Sequence, residues 1–593
     1  MTGLLEPVRQ TRSARAAISA LKGARLKIPA RWDRWLGWGR NEQARSLRSA
    51  EVVRARSPMK IVCFNPYTFY SLHTAVEASL LHALRLRGHS VQYVMCDASF
   101  PQCDICRPGA DMGKVKFGRD GGNSREACQG CQLSSRRYLA DLGIDPEPIG
   151  RWITDQERKT ARDWSAGLAE EEFRDACFQD WSIGDWVSSS VQTHFRHNRI
   201  DIDDPATMRI YRSFLESGLL ACFAHARMLE EIQPDLLMLF NGRMSLTRCA
   251  LEVARSRGVR VIAEERALPG RIRLFENVGC NSIDHLEELW RRWKDVPLTG
   301  RELADVHEIL QQRARGAGFE FRPFSPPNDG DDMRARLGLD QRPIWLAMTS
   351  SPDEGGQDPW AQGLFKSQHD WATALVDHAR EREDIQLVIR VHPNIGSAVS
   401  NGRNEDEISF YLALAATAPA NVCVVHSDDA VSTYSLMQLA DAGLVWHSTA
   451  GLEMACMGKP VARSGGMSLR SAEYLTEVAP GAQLNATLSR LGRNWTPARQ
   501  SWATRRALRQ AYILFVRQTL PLPQVKLINW HSGGFAFASA EELREGVSPD
   551  LDQIVDILSG VRELLPDPLH EGNMRDTSAE DAFLSRVLPV PPA

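Results

Sequence analysis

The 593-residue sequence lacks any apolar run close to the roughly 20 residues that a helix needs to cross a bilayer. It also lacks a recognisable secretory leader at its start, so we expect a cytoplasmic protein or one that lies on the inner face of the cytoplasmic membrane. Neither sign of charge dominates, because 71 Lys and Arg residues stand against 74 Asp and Glu residues. In a reducing compartment the twelve cysteines are expected to be thiols or metal ligands rather than disulfides.

The small net charge hides an asymmetry between the first 57 residues and the remainder. Residues 1–57 contain 13 Lys and Arg against 4 Asp and Glu, which leaves 58 basic and 70 acidic residues in the rest of the chain. An acidic body repels phosphates, so nucleic acid is not an expected partner. The basic arm also carries Trp32, Trp35 and Trp38 at three-residue intervals. Basic residues with interfacial tryptophans favour contact with an anionic membrane surface, and a solvated tail is the alternative.

Length and pattern predict two αβ domains, with the 43% hydrophobic and 24% charged content of a soluble globular protein. Residues 322–332 have the Pro, Asp and Gly composition of a linker. The predicted organisation is a basic arm (1–57), a first domain (58–321) with a Cys-rich loop (96–131) and a helical insertion (135–232), the linker (322–332), a second domain (333–525), and a partly disordered C-terminal extension (526–593).

Hydrophobic periodicity predicts the order of strands and helices within both domains. The first domain opens with a βαβ unit and continues through two further strands that are separated by a helix. The expected elements there are strands at 59–66, 90–95, 236–240 and 259–263, and helices at 72–87, 245–256 and 301–316. The second domain is expected to hold strands at 343–348, 386–391, 421–425, 443–446 and 460–463.

The most informative segment of the second domain runs from residue 443 to residue 461. It predicts a short strand, a tight turn, a helix, a glycine stop and another strand. Ser448 and Thr449 occupy the positions of helix-capping hydroxyls, so free backbone N–H groups point beyond the end of the strand. A phosphate suits such a turn, although an ordinary capped αβ unit has the same pattern. The segment lacks the Lys-Ser/Thr pair of an NTPase P-loop.

A second polar strand end lies upstream in the same domain. Residues 385–391 form an apolar, β-branched run, typical of a strand that is buried on both faces of a parallel sheet. The run ends at His392-Pro393, with Arg390 just inside it. Ligands of open α/β sheets bind outside the carboxyl ends of strands, so both motifs are placed where a ligand is expected.

Several of these motifs resemble bacterial capsule and surface-polysaccharide glycosyltransferases of the GT-B type. In the second domain the resemblance rests on Arg390-Val391-His392-Pro393, on residues 427–436 and 440–441, and on the segment 448–460. In the first domain it rests on residues 59–66, 73–88, 234–243 and 263–266. It covers roughly residues 59–525, with gaps. The resemblance implies two Rossmann-like domains that face a cleft, with the Cys-rich and helical insertions in the N-terminal one.

The resemblance also implies a nucleotide-sugar donor in the C-terminal half. His392 is then expected to contact the nucleotide or its phosphate, while Ser448, Thr449 and the amides through Gly451 hold the phosphate. Glu453 is one helical turn further on, within reach of a ribose or sugar hydroxyl, and a solvated glutamate is the alternative.

Metal-independent chemistry is expected, because no Asp-x-Asp follows a strand of the donor half. The charge of the leaving nucleotide is then met by helix N-termini and by Arg390 or His392.

A transfer to a hydroxyl group needs a base that takes the acceptor's proton. Glu265 follows the strand predicted at 259–263, and His73 heads the first helix of the N-terminal half. Both are therefore candidates for the catalytic base, and Asp97 is a weaker third.

Two Cys-x-x-Cys pairs follow the second strand, at a spacing typical of structural zinc sites. Spacing alone favours Cys103, Cys106, Cys128 and Cys131, whereas the resemblance favours Cys96 in place of Cys106. We expect bound zinc ahead of an iron–sulfur cluster, in a site that pins the loop and performs no chemistry. Reduced thiols in a loop are the alternative.

The sequence therefore predicts a glycosyltransferase that uses a nucleotide sugar and a surface-polysaccharide or lipid-linked glycan acceptor. A sugar-nucleotide 2-epimerase on the same fold is one alternative, and a non-catalytic scaffold of a polysaccharide assembly complex is another. Residues 350–352 and 464–470 depart from the family pattern, which leaves the identity of the donor open.

Overall fold

The computed structural model describes residues 41–106, 121–195, 200–315, 333–351, 364–396, 404–465, 472–493, 495–529, 532–565 and 576–588. The three tryptophans of the basic arm, the linker 322–332 and the middle of the Cys-rich loop lie outside these residues. Within them, no helix combines the length and the apolar character that crossing a membrane requires.

The described strands form two large sheets and one hairpin. They are β1 (Lys60–Asn65), β2 (Ser90–Met95), β3 (Glu147–Pro148), β4 (Leu236–Phe240), β5 (Arg260–Arg266), β6 (Arg271–Glu276), β7 (Ile344–Met348), β8 (Gln386–Arg390), β9 (Val422–Val425), β10 (Ala442–Val445), β11 (Val461–Arg463), β12 (Thr476–Glu477), β13 (Leu520–Pro521), β14 (Val525–Asn529) and β15 (Ser532–Phe535).

Helices cover both large sheets. They are α1 (Glu42–Ser49), α2 (Ser71–Leu86), α3 (Arg125–Asp141), α4 (Asp155–Gly167), α5 (Ile183–Phe195), α6 (Pro205–Ile232), α7 (Ser245–Ser256), α8 (Ile283–Trp293), α9 (Gly300–Ala314), α10 (Met333–Arg336), α11 (Gln368–Arg380), α12 (Pro393–Gly396), α13 (Glu405–Thr417), α14 (Thr433–Leu439), α15 (Ala450–Cys456), α16 (Ala482–Leu488), α17 (Pro497–Tyr512), α18 (Pro549–Leu558) and α19 (Ser578–Val587). Short 3₁₀ turns lie at Ile149–Trp152, Glu170–Glu172 and Ala540–Leu543, and a π-helical turn lies at Ile513–Arg517.

The first sheet has the strand order β13-β6-β5-β4-β1-β2-β3, in which β1 to β5 run parallel. Its central strands are apolar runs buried on both faces, as in β4, where every residue is buried. Counted from β1, the order 3-2-1-4-5 is that of a doubly wound sheet, and it reverses between β1 and β4. The loops that leave these two strands therefore border the crevice at which sheets of this order bind ligands.

The second sheet repeats this design with six parallel strands in the order β12-β11-β10-β7-β8-β9. Counted from β7, the order is again 3-2-1-4-5-6, and it reverses between β7 and β10. The α/β prediction is confirmed, because both sheets are covered by helices on connections of the βαβ kind.

The bounds of β2, β4 and α7 agree with those predicted from hydrophobic periodicity, but the bounds of β5 do not. The predicted strand ended at Ala263, whereas β5 continues to Arg266. The antiparallel strand β6 explains this extension, because it pairs with β5 as far as Arg266 opposite Ile272. The last three residues of β5 therefore belong to the sheet and not to a loop.

Distant segments of the chain complete both cores. Helices α8 and α9 pack with the second sheet, where Trp290 and Val306 share a core cluster with Val445. The C-terminal segment returns to the first sheet, since β13 pairs with β6, and Phe535 and Leu551 pack in one core with β1. Helix α1 is also part of the folded body, because its buried side chains lie against the first domain.

Candidate active site

An imidazole between two carboxyl groups lies at the crevice of the first sheet. His73 is in the first turn of α2, and Glu264 and Glu265 are consecutive residues of β5. His73 Nδ1 is 2.9 Å from Glu264 Oε1, and His73 Nε2 is 3.7 Å from Glu265 Oε1. The Glu264 side chain is 1% exposed, whereas that of Glu265 is 20% exposed. The structure therefore brings both predicted base candidates together and adds a third, buried group.

Burial determines how this cluster holds its protons. Desolvation lowers the pKa of His73 to about 4, Glu265 opposes this shift, and Arg266 adds to it. Burial also raises the pKa of Glu264 well above its usual range, and the neighbouring charge of Glu265 raises it further. Burial therefore favours the neutral forms of both His73 and Glu264.

The loop after β4 holds the carboxylate of Glu265 in place. Asn241 has a left-handed backbone with φ 67°, and its Nδ2 donates a hydrogen bond to Glu265 Oε2. The Arg266 backbone N–H donates to Glu265 Oε1 at 3.0 Å. The backbone of Asn241 is itself tied to β5, since its N–H donates to the Glu264 carbonyl oxygen at 2.8 Å. Two donors thus orient the more exposed carboxylate of the cluster.

A second buried carboxyl group lies behind the first. Glu77 is four residues after His73 on α2, and its Oε2 accepts hydrogen bonds from Asn65 Nδ2 at 2.7 Å and from the Tyr93 hydroxyl at 2.9 Å. Burial raises the pKa of Glu77 well above its usual range, and the nearby Glu264 raises it further. Burial therefore favours the neutral form of both carboxyl groups beneath the crevice. The third base candidate, Asp97, instead accepts a hydrogen bond from the Gly150 N–H, at 3.2 Å.

Small polar residues border the crevice of the second sheet. His392 follows β8, and its backbone N–H donates to Thr349 Oγ1 at 2.8 Å in the loop after β7. The His392 Nδ1 accepts the Asn394 N–H at 3.2 Å. Ser448 follows β10, and its Oγ accepts the Ala450 N–H at 3.2 Å at the start of α15. The loops after β7, β8 and β10 thus form one polar edge, as predicted for His392 and Ser448.

Thr449 and Gly451 have local structural roles on this edge. Thr449 precedes α15 and its carbonyl oxygen accepts the Glu453 N–H at 3.1 Å, while its side chain makes no capping hydrogen bond. A Cβ at Gly451 would lie 2.9 Å from Val445 Cγ2, so the glycine lets α15 pack closely against β10. Neither contact excludes a ligand, and both phosphate-binding roles stay predictions.

Arg390 and Glu453 make extensive contacts with other protein groups. The Arg390 guanidinium donates to the carbonyl oxygens of His426 and Val431, and burial lowers its pKa to about 10. Glu453 is 2% exposed and pairs with Arg313, whose Nη2 is 2.7 Å from Glu453 Oε1. Both side chains therefore already bind other groups of the protein. Their predicted roles toward a donor stay predictions.

Two arginines interact with charged groups beside the crevices of the two sheets. Arg273 on β6 is half-buried, and it interacts electrostatically with Glu265 and with Arg313. Burial lowers the pKa of Arg273, Glu265 opposes that shift, and Arg313 adds to it. Arg313 in turn pairs with Glu453 on α15, so charged groups of both sheets lie within electrostatic range of one another.

The predicted metal ligands lie near one another but do not form a metal site in the described residues. Cys103 Sγ is 3.7 Å from Cys106 Sγ, and Cys96 interacts electrostatically with Cys103, Cys128 and Cys131. Burial raises the pKa of Cys128 to about 11 and that of Cys131 to about 12, which favours neutral thiols. No group of three or more His, Cys, Asp or Glu side chains in the described part of the chain is placed to hold a metal ion. The zinc prediction is therefore not supported.

Sequence reasoning missed Glu264, Asn241 and Arg313. Glu264 was adjacent to a candidate base, but the strand was expected to end before it. Asn241 precedes a glycine at the end of an apolar strand, and this pair is typical of a left-handed turn. That local pattern predicts the turn at Asn241. Arg313 carries no local signal, because its partner Glu453 is 140 residues away.

Comparisons with known proteins give only weak likenesses. No family model and no curated protein matches the sequence. A solved beta Kdo 2,7 transferase, KpsC of Thermosulfurimonas dismutans, is 14% identical with a TM-score of 0.29, and covers 55% of this chain and 88% of its own. A putative UDP-N-acetylglucosamine 2-epimerase of Listeria monocytogenes is 11% identical with a TM-score of 0.28, over 86% of this chain and 98% of its own.

The glycosyltransferase SnogD of Streptomyces nogalater is 14% identical with a TM-score of 0.25, over 77% of this chain and 96% of its own. At these TM-scores the likenesses carry no argument about what this chain binds or does. The two observed strand orders themselves establish the α/β fold.

Proposed function

We propose that this protein is a GT-B glycosyltransferase, which moves a sugar from a nucleotide-sugar donor to a surface-polysaccharide or lipid-linked glycan acceptor. The observation that carries the proposal is the pair of doubly wound sheets, with Glu265 at one crevice and the Arg313–Glu453 pair beside the other both within electrostatic range of Arg273. One crevice holds a partly exposed carboxylate beside an imidazole, and the other is bordered by small polar residues. A base at one crevice and polar groups at the other suit a reaction between an acceptor hydroxyl and a phosphorylated donor.

In this proposal the donor binds at the second sheet, against the loops that hold Thr349, His392 and Ser448. The acceptor hydroxyl binds at the first sheet and gives its proton to the Glu265 carboxylate. The hydroxyl oxygen bonds to the anomeric carbon, and the bond from that carbon to the donor's phosphate oxygen breaks. The electron pair of the broken bond leaves with the nucleotide. Side-chain and backbone donors of the second crevice stabilise the charge that develops there.

Donor binding is tested first, by thermal unfolding in the presence of UDP-, GDP-, CMP- and dTDP-linked sugars. A bound donor at 100 times its dissociation constant stabilises the folded protein by about 2.7 kcal/mol. We expect one nucleotide class to raise the unfolding temperature of the wild type and to have a smaller effect on Ser448→Ala/Thr449→Ala. Thr417→Ala is the control. Thr417 ends α13, which leads into the start of β9, so it lies at the amino ends of the parallel strands, away from Ser448 and Thr449.

Transfer is then tested with the donor so identified and a glycan acceptor. We expect Glu265→Gln to bind the donor like the wild type and to lose about 10²- to 10⁴-fold in turnover. Exchange of the sugar's C2 proton with solvent, without any transfer, would instead identify a 2-epimerase. An absence of stabilisation by all four donor classes would favour a non-catalytic scaffold.

We also propose that the protein acts in the cytoplasm, where residues 1–57 bring it to the inner membrane surface. Their 13 basic against 4 acidic residues support this contact. Because α1 belongs to the folded body, the contact would rest on residues 1–40. Sedimentation with anionic and neutral vesicles, with and without residues 1–40, tests the contact.

A further inference from the structure

His73 lies between two carboxyl groups that differ in their surroundings. Glu264 contacts the imidazole through both oxygens, at 2.9 and 3.2 Å from Nδ1, and its side chain is 1% exposed. Glu265 faces the other ring nitrogen, Nε2, at 3.7 Å, and is the more exposed of the two. The ring itself packs on Phe240, with centroids 4.0 Å apart. One imidazole therefore joins a buried acid to a carboxylate that substrate can reach.

Two arrangements of protons fit these positions. In the first, an ionised Glu264 accepts the Nδ1–H of His73, and the free Nε2 lone pair is a base. In the second, a protonated Glu264 donates to Nδ1, and His73 carries its hydrogen on Nε2. The first arrangement makes His73 the base, whereas the second leaves that task to Glu265.

We propose that Glu264 is a neutral carboxylic acid that donates its proton to His73 Nδ1, so that the Nε2–H of His73 is directed toward the Glu265 carboxylate. The assignment of Glu265 as the base rests on the proposed function. Glu264 and His73 are then positioning residues, which act on the reaction through Glu265.

The charges around the cluster favour this arrangement. Glu264 interacts electrostatically with Glu265 on its own strand, with Glu77 on α2, with the Cys63 thiol on β1 and with the cation Arg266. An ionised Glu264 would be a second anion beside Glu265, with its own side chain only 1% exposed to water. One of two carboxyl groups that share a site is driven to its neutral form. Because Glu265 has the greater access to water and two other donors, Glu264 is the one that keeps its proton.

The proposal gives Glu265 a third donor. Asn241 Nδ2 and the Arg266 N–H already donate to the carboxylate, and His73 Nε2 lies 3.7 Å from Glu265 Oε1. Catalytic hydrogen bonds are often long in the absence of substrate and shorten in the complex. The acidic partner of His73 thus helps to aim the base at the acceptor hydroxyl, although it does not touch the substrate.

The spectroscopic test does not depend on activity. Protein with ¹⁵N-labelled histidine gives imidazole correlation spectra in which the two neutral tautomers and the imidazolium are distinct, and His73→Gln identifies the His73 signals. Two buried histidines serve as internal standards: His225 Nδ1 contacts the Ala221 carbonyl oxygen at 2.7 Å, and His82 Nε2 contacts that of Leu142 at 2.8 Å. At pH 7 we expect His73 to resemble His82, the Nε2–H tautomer. A signal like that of His225, or an imidazolium, would overturn the proposal.

The kinetic test compares Glu264→Gln with Glu264→Ala. A glutamine amide can donate to His73 Nδ1 as the acid does, so we expect Glu264→Gln to stay within about tenfold of the wild type and Glu264→Ala to lose far more. The pH profile of kcat/KM should change in Glu264→Ala and be restored in Glu264→Gln. Loss of about 10⁴-fold in Glu264→Gln, the effect seen when an ionised partner of a catalytic histidine is neutralised, would overturn the proposal.

The two tests separate this inference from the proposed function. An Nε2–H tautomer in a protein that transfers no sugar supports the proton arrangement and contradicts the function. Sugar transfer by a protein whose His73 carries its hydrogen on Nδ1 supports the function and overturns the inference.

Discussion

At the end of β5, two consecutive glutamates have different chemistry because their side chains have different access to water. Glu264 is buried against His73, and burial raises its pKa well above the usual range. Glu265 is partly exposed and accepts hydrogen bonds from Asn241 and from the Arg266 N–H. An acid and a carboxylate side by side are a common way for a protein to assign proton-transfer roles at neutral pH.

Asn241 provides a test at this scale, because its backbone and its side chain can be separated by mutation. Its φ of 67° suits glycine and strains alanine, whereas both substitutions remove the amide that holds Glu265. We expect Asn241→Gly and Asn241→Ala to lose similar amounts of activity, but Asn241→Ala to lower the free energy of unfolding by about 1 kcal/mol more.

Urea denaturation and kcat measurements on both variants check this prediction. Equal stability of the two variants would contradict the assigned backbone strain. Full activity in Asn241→Gly would show that the amide does not orient the base.

At the scale of elements, α15 and the turn before it are determined by packing as well as by polar groups. The helix lies close to β10 and β11, and Gly451 is the residue that permits the close approach. Glu453 on the same helix is drawn into a buried ion pair with Arg313 of α9. The segment that most resembles a phosphate-binding turn therefore also packs against the second sheet and pairs with α9.

Gly451→Ala tests the packing role. The new methyl group would lie 2.9 Å from Val445 Cγ2, so we expect a loss of about 1 to 3 kcal/mol in the free energy of unfolding. Gly300→Ala is the matched control, since Gly300 begins α9 with no atom within 4 Å of the added group, and it should be neutral or stabilising. Urea denaturation measures both changes. Wild-type stability in Gly451→Ala, together with weaker donor binding, would show that the glycine serves the ligand and not the packing.

For the whole molecule, the two sheets bury many titratable groups, and this makes stability depend on pH. Burial lowers the pKa of His82, His225, His285 and His447 to about 4 in each case. An unfolded histidine binds its proton near pH 6.5, so the unfolded state binds more protons between pH 6.5 and 4. These histidines therefore stabilise the fold above pH 6.5, and that contribution is lost as the pH falls toward 4.

Glu77 and Glu264 act in the opposite direction. Burial raises the pKa of both, so the folded state keeps protons that the unfolded state releases above about pH 4.5. Their contribution to stability falls as the pH rises. The pH dependence of the whole protein is the sum of both groups, and a difference between variants is needed to isolate one residue.

His225→Leu isolates one histidine of the first core. His225 is fully buried beneath β1, where its ring meets that of Phe64 edge-on at 4.3 Å. We expect the free energy of unfolding of the wild type to fall more steeply than that of the variant between pH 6.5 and 4.5, by about 1.4 kcal/mol per pH unit. Urea denaturation at several pH values measures both slopes. Parallel slopes would mean that His225 takes up its proton in the folded protein at the same pH as in the unfolded chain.

The elements that were predicted well are those whose pattern is complete within a short segment. The apolar run of β4 and the helical pattern of α7 each lie within a short segment. Both elements were therefore predicted at their observed bounds. The polar ends of β8 and β10 were likewise readable, because a strand, a turn and a helix each have a local pattern.

The amino-acid sequence by itself determined the α/β class, the order of most strands and helices, and two of the groups at the first crevice, His73 and Glu265. Only the tertiary structure decided that β5 continues through Glu264, because the antiparallel pairing with β6 extends it. Only the tertiary structure also placed Arg313 on Glu453 and returned the C-terminal segment to the first sheet. The physical reason is the same in each case: local patterns reflect short-range preferences, whereas burial and charge pairing depend on residues that are far apart in the chain.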